Sequence, residues 1–182
     1  MSTKSKIQEE IQIQKDTNVE IIGNLFKVSG PLGVNTRTFN DPRVTIKKED
    51  NKIILDSKQQ NRNIKRVIRT FRAHINNLIK GVNKNYVYKL KICSGHFPMT
   101  VSISGKKLIV KNFFAEKVPR EAKLLEGVNV KIEGDIITAT GSNKEIVSQT
   151  AANIEQVCRI TNRDRRVFMD GIYIISKGEE ND

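Results

Sequence analysis

Tryptophan is absent from this 182-residue chain, aromatic residues make up only 5% of it, and cysteine occurs twice. Cys93 and Cys158 are too few for a disulfide framework, which excludes a small bridge-stapled secreted fold. No apolar run approaches the roughly 20 residues that cross a bilayer, and the polar start Met1–Lys6 has no signal-peptide core. A cytosolic chain is expected. Catalytic signatures are missing too: there is no Walker loop, no G-x-S-x-G and no paired acidic motif. A closed zinc site needs four ligands, and His74, His96, Cys93 and Cys158 lack the paired spacing for one. The expectation is a protein without catalytic activity, metal or cofactor.

One absence is regional. The chain carries 32 Lys and Arg against 20 Asp and Glu, a net charge of +12, yet residues 57–115 contain thirteen of those bases and no acid. Residues 1–56 balance at +1 and residues 116–182 at −2. An excess confined in this way asks for an anionic partner, nucleic acid first and an acidic membrane surface second. Within the zone Arg62, Lys65, Arg66, Arg69 and Arg72 share a helical segment with no acid three or four residues away, although such pairs ordinarily relieve repulsion on a surface helix. RNA, protein and solvent all remain open as its facing surface. Lys106, Lys107 and Lys111, with Lys117 just beyond, join the RNA-binding candidates. Few aromatics interleave the bases, which predicts backbone recognition and not base stacking.

Apolar content is 37%, enough for a core, and its patterning repeats. Val19–Val28 and Val101–Val110 each read as a strand, a glycine turn and a second strand. Val44–Ile46 with Ile53–Ile54, and Val128–Val130 with Ile136–Ile137, read as second hairpins. Each half then closes on a helix. Ile64, Ile68, Phe71, Ile75 and Ile79 form the first apolar stripe, and Val147, Ala151, Ile154 and Cys158 the second, with Asn143 as N-cap. Gly81 should end the first helix. The predicted fold is α+β: two tandem similar domains, each a small antiparallel sheet packed against a helix. The expected organisation is a flexible tail over 1–18, a first repeat over 19–85, a second over 86–177 that includes an RNA-binding segment, and an acidic tail over 178–182. Gly30-Pro31-Leu32-Gly33 matches a KH loop, but it follows a strand and reads as a plain turn.

The C-terminal run from Gln156 to Lys177 carries the most specific pattern. Gln156, Ile160, Arg163, Arg166, Phe168, Asp170, Gly171, Ile172, Tyr173, Ile174 and Lys177 keep fixed spacing, and Asp170-Gly171 is a turn pair. The run resembles the signature of the large-ribosomal-subunit protein six family in its archaeal and eukaryotic branch. His96-Phe97-Pro98 and Asn112–Lys117 look similar to that branch as well, with Ala115 where glycine is expected. The resemblance implies a structural protein of the large subunit that binds rRNA near the factor-binding region and supports translation. Neighbouring ribosomal proteins and translation GTPases would lie close by. It assigns Arg163, Arg166 and Lys177 to phosphate, and Phe168, Asp170, Gly171 and Tyr173 to the turn that presents them. Arg165 joins them on chemical grounds, because a guanidinium fork matches phosphate oxygens. The alternative is a free-standing basic module for RNA or DNA, and a membrane-surface role for the first helix is a third reading.

Overall fold

A computed structural model describes residues 7–14, 16–57 and 61–178. The chain divides into two units, the first ending at Lys84 and the second starting at Asn85. The first unit comprises strands β1 (Ile7–Gln12), β2 (Asn18–Ile22), β3 (Leu25–Gly30), β4 (Gly33–Thr38), β5 (Thr45–Glu49) and β6 (Lys52–Ser57), followed by helix α1 (Arg62–Asn83). The second comprises β7 (Tyr86–Cys93), β8 (Thr100–Ser104), β9 (Lys107–Lys111), a 3₁₀ turn (Phe113–Ala115), β10 (Arg120–Lys123), β11 (Asn129–Glu133), β12 (Ile136–Gly141), α2 (Lys144–Val157) and β13 (Gly171–Ser176). Among the described residues all pairing is antiparallel, in sheets ordered β2-β3-β4, β1-β6-β5, β8-β9-β10 and β11-β12-β7-β13. The tandem α+β architecture therefore holds, with the sheet of each unit divided in two.

Alternation on the strands and helical spacing on the helices meet in the cores. Ile53 and Leu55 of β6, with Phe26 and Val28 of β3, pack against Ile64, Ile68 and Ile75 of α1. Leu90, Leu108, Val110, Ile137 and Ala139 pack against Val147, Ala151 and Ile154 of α2. Full burial of each large aliphatic side chain is worth about 1.5–3 kcal/mol. The helix starts are capped by side chains. Asn61 accepts from the Ile64 amide at 2.8 Å, and Asn143 from Glu145 at 3.0 Å.

Two local expectations are corrected. The tail over 1–18 is shortened, because Ile7–Gln12 pairs along β6, with Ile11 opposite Ile53. Ile11 and Ile13 are buried there. Gly81 does not end α1 but lies buried within it, and Lys84 is the C-cap, its amide bonding Lys80 O at 2.8 Å. The Gly30–Gly33 turn joins two strands, and the Leu32 amide donates to Val82 O at 3.0 Å at the end of α1. A Cβ on Gly30 would stand 2.8 Å from the Val82 side chain, so close approach to the helix requires glycine there. The expected acidic tail falls largely outside the described residues. Gly178 lies within them and accepts from the Val87 amide at 2.7 Å.

Candidate nucleic-acid interface

The C-terminal signature folds as a loop between α2 and β13. Asn162, at φ 58°, turns the chain, and Asp164 O then accepts from the Val167 and Phe168 amides at 3.1 and 2.9 Å. Arg163, Arg165 and Arg166 are all exposed on this loop. The Arg163 guanidinium lies 5.0 Å from the Phe114 ring centre and 5.1 Å from that of Phe168. Such contacts contribute about 0.5–1 kcal/mol at exposed sites and hold the fork in place. Arg166 instead makes a two-pronged pair with Asp164, at 3.1 Å from Nε and 2.7 Å from Nη2. That bond holds the Asp164 carboxyl below the usual carboxylate range and raises Arg166. A pair this exposed is weak and open to exchange with a stronger anion.

Beneath the loop lies a platform of rings. Phe168 stacks on His96 with centroids 4.9 Å apart and meets Phe114 edge-on at 5.8 Å. Phe114 in turn contacts Phe113 and Phe97. The segment that supplies Phe114 is strained, since Asn112, Phe114 and Ala115 all have positive φ, at 61°, 49° and 58°. Ala115 thus occupies a conformation natural to glycine, which accounts for the glycine expected there. Lys111 and Lys117, both exposed, flank this segment.

Asp170 anchors the loop, but not by bonding its own backbone. The residue is 1% exposed, and its carboxylate reaches the loop after β7. It accepts from the Gly95 amide at 2.9 Å, from the His96 amide at 3.0 Å and from the Phe97 amide at 3.3 Å, and the His96 ring Nδ1 lies 3.1 Å away. Burial pushes its pKa up, but the His96 ring and the three amides outweigh that and leave it lowered. Gly171 follows at φ +153°, where a Cβ would stand 3.3 Å from the Tyr173 hydroxyl, and that hydroxyl donates to Asp170 O at 3.5 Å.

Arg120 closes the other side. It pairs with Glu116 through two bonds at 2.6 and 2.7 Å, donates to Val157 O at the end of α2, and lies 4.3 Å from the Phe113 ring. Nearby Cys158 is buried in the core, and desolvation pushes its thiol up to about 11, so it stays protonated and unreactive at neutral pH.

The remaining candidates scatter. Lys177 lies at the far end of β13 from the arginines, six residues or about 20 Å along an extended strand. Lys106 pairs with Glu126, and Lys107 with Glu121 at 2.6 Å. Arg72 pairs with Glu9 of β1. Arg62, Lys65, Arg66 and Arg69 lie on α1, in the other unit. Sequence reasoning missed the roles of Phe114, of Asp170 as an anchor, and of Arg120. Clustering of aromatics in His96-Phe97 and Phe113-Phe114 was the available signal for the platform. The one local mark on Arg120 is Glu116 four residues earlier, and its bond to Val157 O comes from a segment 37 positions away.

Two stretches of the chain, residues 13–85 and 97–171, match the family profile of ribosomal protein L6. Over 177 residues the chain is 43% identical to the large ribosomal subunit protein uL6 of Methanococcus vannielii, covering 97% of each. It is 42% identical over 177 residues to uL6 of Methanobrevibacter smithii, covering 97% of this chain and 99% of that protein.

Proposed function

The chain belongs to the archaeal branch of the ribosomal protein L6 family, and on that premise we propose that its second unit holds large-subunit rRNA through the Arg163–Arg166 loop. It is a structural constituent of the ribosome and not an enzyme. The observation that carries the rRNA reading is the Arg163 guanidinium, seated on Phe114 and Phe168 while Arg165 stays exposed beside it. A guanidinium fixed by ring stacking loses less freedom on meeting a phosphate than one held by nothing. Lys111 and Lys117 add charge along the same platform, and Arg166 can exchange Asp164 for a phosphate oxygen. Recognition through phosphate and shape follows, with the affinity strongly dependent on salt. The assigned place is near the factor-binding region, beside neighbouring ribosomal proteins and close to translation GTPases. That finer placement rests on the resemblance of the Gln156–Lys177 run.

The test is a triple change, Arg163→Ala, Arg165→Ala and Arg166→Ala, followed by co-sedimentation with large subunits through high-salt sucrose. Retention should fall at least about tenfold. The melting midpoint should move by only a few degrees, since the stacking of Arg163 on its rings is worth about 0.5–1 kcal/mol. Normal retention would overturn the reading. Collapse of the second unit would make the arginines structural.

A further inference from the structure

Helix α1 carries a second charged surface that the arginine loop does not use. Ile64, Ile68 and Ile75 turn inward, while Arg62, Lys65, Arg66 and Arg69 are exposed. These four recur three and four residues apart, so they form one stripe along the first two turns, about 10 Å long at 1.5 Å per residue. The arrangement works against the helix. Its first turn contains no acid, and the four cations repel one another at the positive end of the helix dipole. Helix α2 does the reverse and places Glu145 in its first turn. Among the described residues, no acid of a neighbouring strand pairs with the stripe. Glu9 of β1 reaches Arg72, one turn further on, whereas Arg66 within the stripe donates to the neutral Asn63, at 2.9 Å.

From this juxtaposition we propose that the first two turns of α1 dock the phosphate backbone of RNA, as a contact separate from the loop of the second unit. Charge complementarity selects the occupant. Three of the four cations are arginines, whose forks match phosphate oxygens, and a nucleic-acid strand supplies negative charge at a matching density. No aromatic joins the stripe, because Phe71 packs on Phe39 in the core. The contact is therefore to backbone and not to bases. This inference rests on the reading that the chain sits on rRNA, but it uses different residues in a different unit.

The experiment uses the full chain and deproteinised archaeal large-subunit rRNA, with anionic phosphatidylserine vesicles and polyglutamate as controls. The first variant combines Arg62→Gln, Lys65→Gln, Arg66→Gln and Arg69→Gln, and the loop variant is run in parallel. Each phosphate left without its cation should flatten the log–log salt slope by roughly 0.7–0.9, so two such phosphates weaken binding about 40-fold at 0.1 M salt. The melting midpoint should hold or rise, because the repulsion is relieved. A lysine version, with Arg62→Lys, Arg66→Lys and Arg69→Lys, should keep the slope. Unchanged rRNA affinity and slope would overturn the inference, as would loss of helicity in the glutamine variant or an effect confined to vesicles or polyglutamate. A normal loop variant beside a weakened α1 variant would instead overturn the loop reading and leave this one standing.

Discussion

Ala115 and Gly171 are opposite cases of one backbone constraint. Ala115 sits at φ 58°, where a Cβ costs about 1–2 kcal/mol. Gly171 sits at φ +153° with the Tyr173 ring closing over the space a side chain would take. Ala115→Gly should therefore stabilise the second unit by about 1 kcal/mol, and Gly171→Val should destabilise it by about 1–3 kcal/mol. Denaturant midpoints measure both, and shifts of the same sign would show that the platform does not hold these conformations. Asp170 gives a pH dependence at the same scale. Its folded pKa is lowered, so its stabilisation is complete above the ordinary carboxylate range and is lost as pH falls through the lowered value. As pH falls below the ordinary carboxylate range, stability of the wild type should fall more steeply than that of Asp170→Asn. Equal slopes would mean that the bonds from residues 95–97 do not favour the charged form.

Among the elements, β1 shows what duplication implies. Strand β7 runs antiparallel to β12 with Leu90 opposite Ile137, and β1 runs antiparallel to β6 with Ile11 opposite Ile53. The two strands are equivalents, each beside the hairpin that precedes a helix. Ile11 is 4% exposed, so Ile11→Ala should cost the first unit about 2–4 kcal/mol in urea or guanidinium unfolding. A cost near zero would return this segment to a tail. Strand β13 has no counterpart beside β1 among the described residues. It adds to the free edge of β7, and its Ile174 amide donates to Glu155 of α2 at 3.0 Å. That addition fastens the end of the arginine loop to the second unit.

For the whole molecule, a regional excess of charge does not by itself mark unpaired cations. The acid-free zone crosses both units, yet Lys107 in it pairs with Glu121 from outside, and Arg72 pairs with Glu9. The two proposed contacts are a stripe on α1, inside the zone and in the first unit, and a platform-mounted loop, outside the zone and in the second. Independent sites without shared partners contribute additively, so combining the α1 and loop variants should sum their separate effects on the free energy of rRNA binding. Titration of rRNA with the combined variant measures that sum, and a shortfall would mean that the two surfaces depend on each other.

The sequence by itself determined the class, the duplication and the helices. Periods of two and 3.6 are local properties of the chain, and Asn61 and Asn143 cap through neighbours two or three residues away. It also marked the arginine loop, because a dense motif needs no partner to be read. Only the tertiary structure decided how the motif is held. Asp170 looked like a self-bonded turn residue, and its four polar partners lie 73 to 75 positions away. The roles of Phe114 and Arg120, and the separation of Lys177 from the arginines, likewise depend on which segments pack together. Strand β1 was read as part of a tail, because a short polar-flanked run becomes a strand only when β6 offers it an edge.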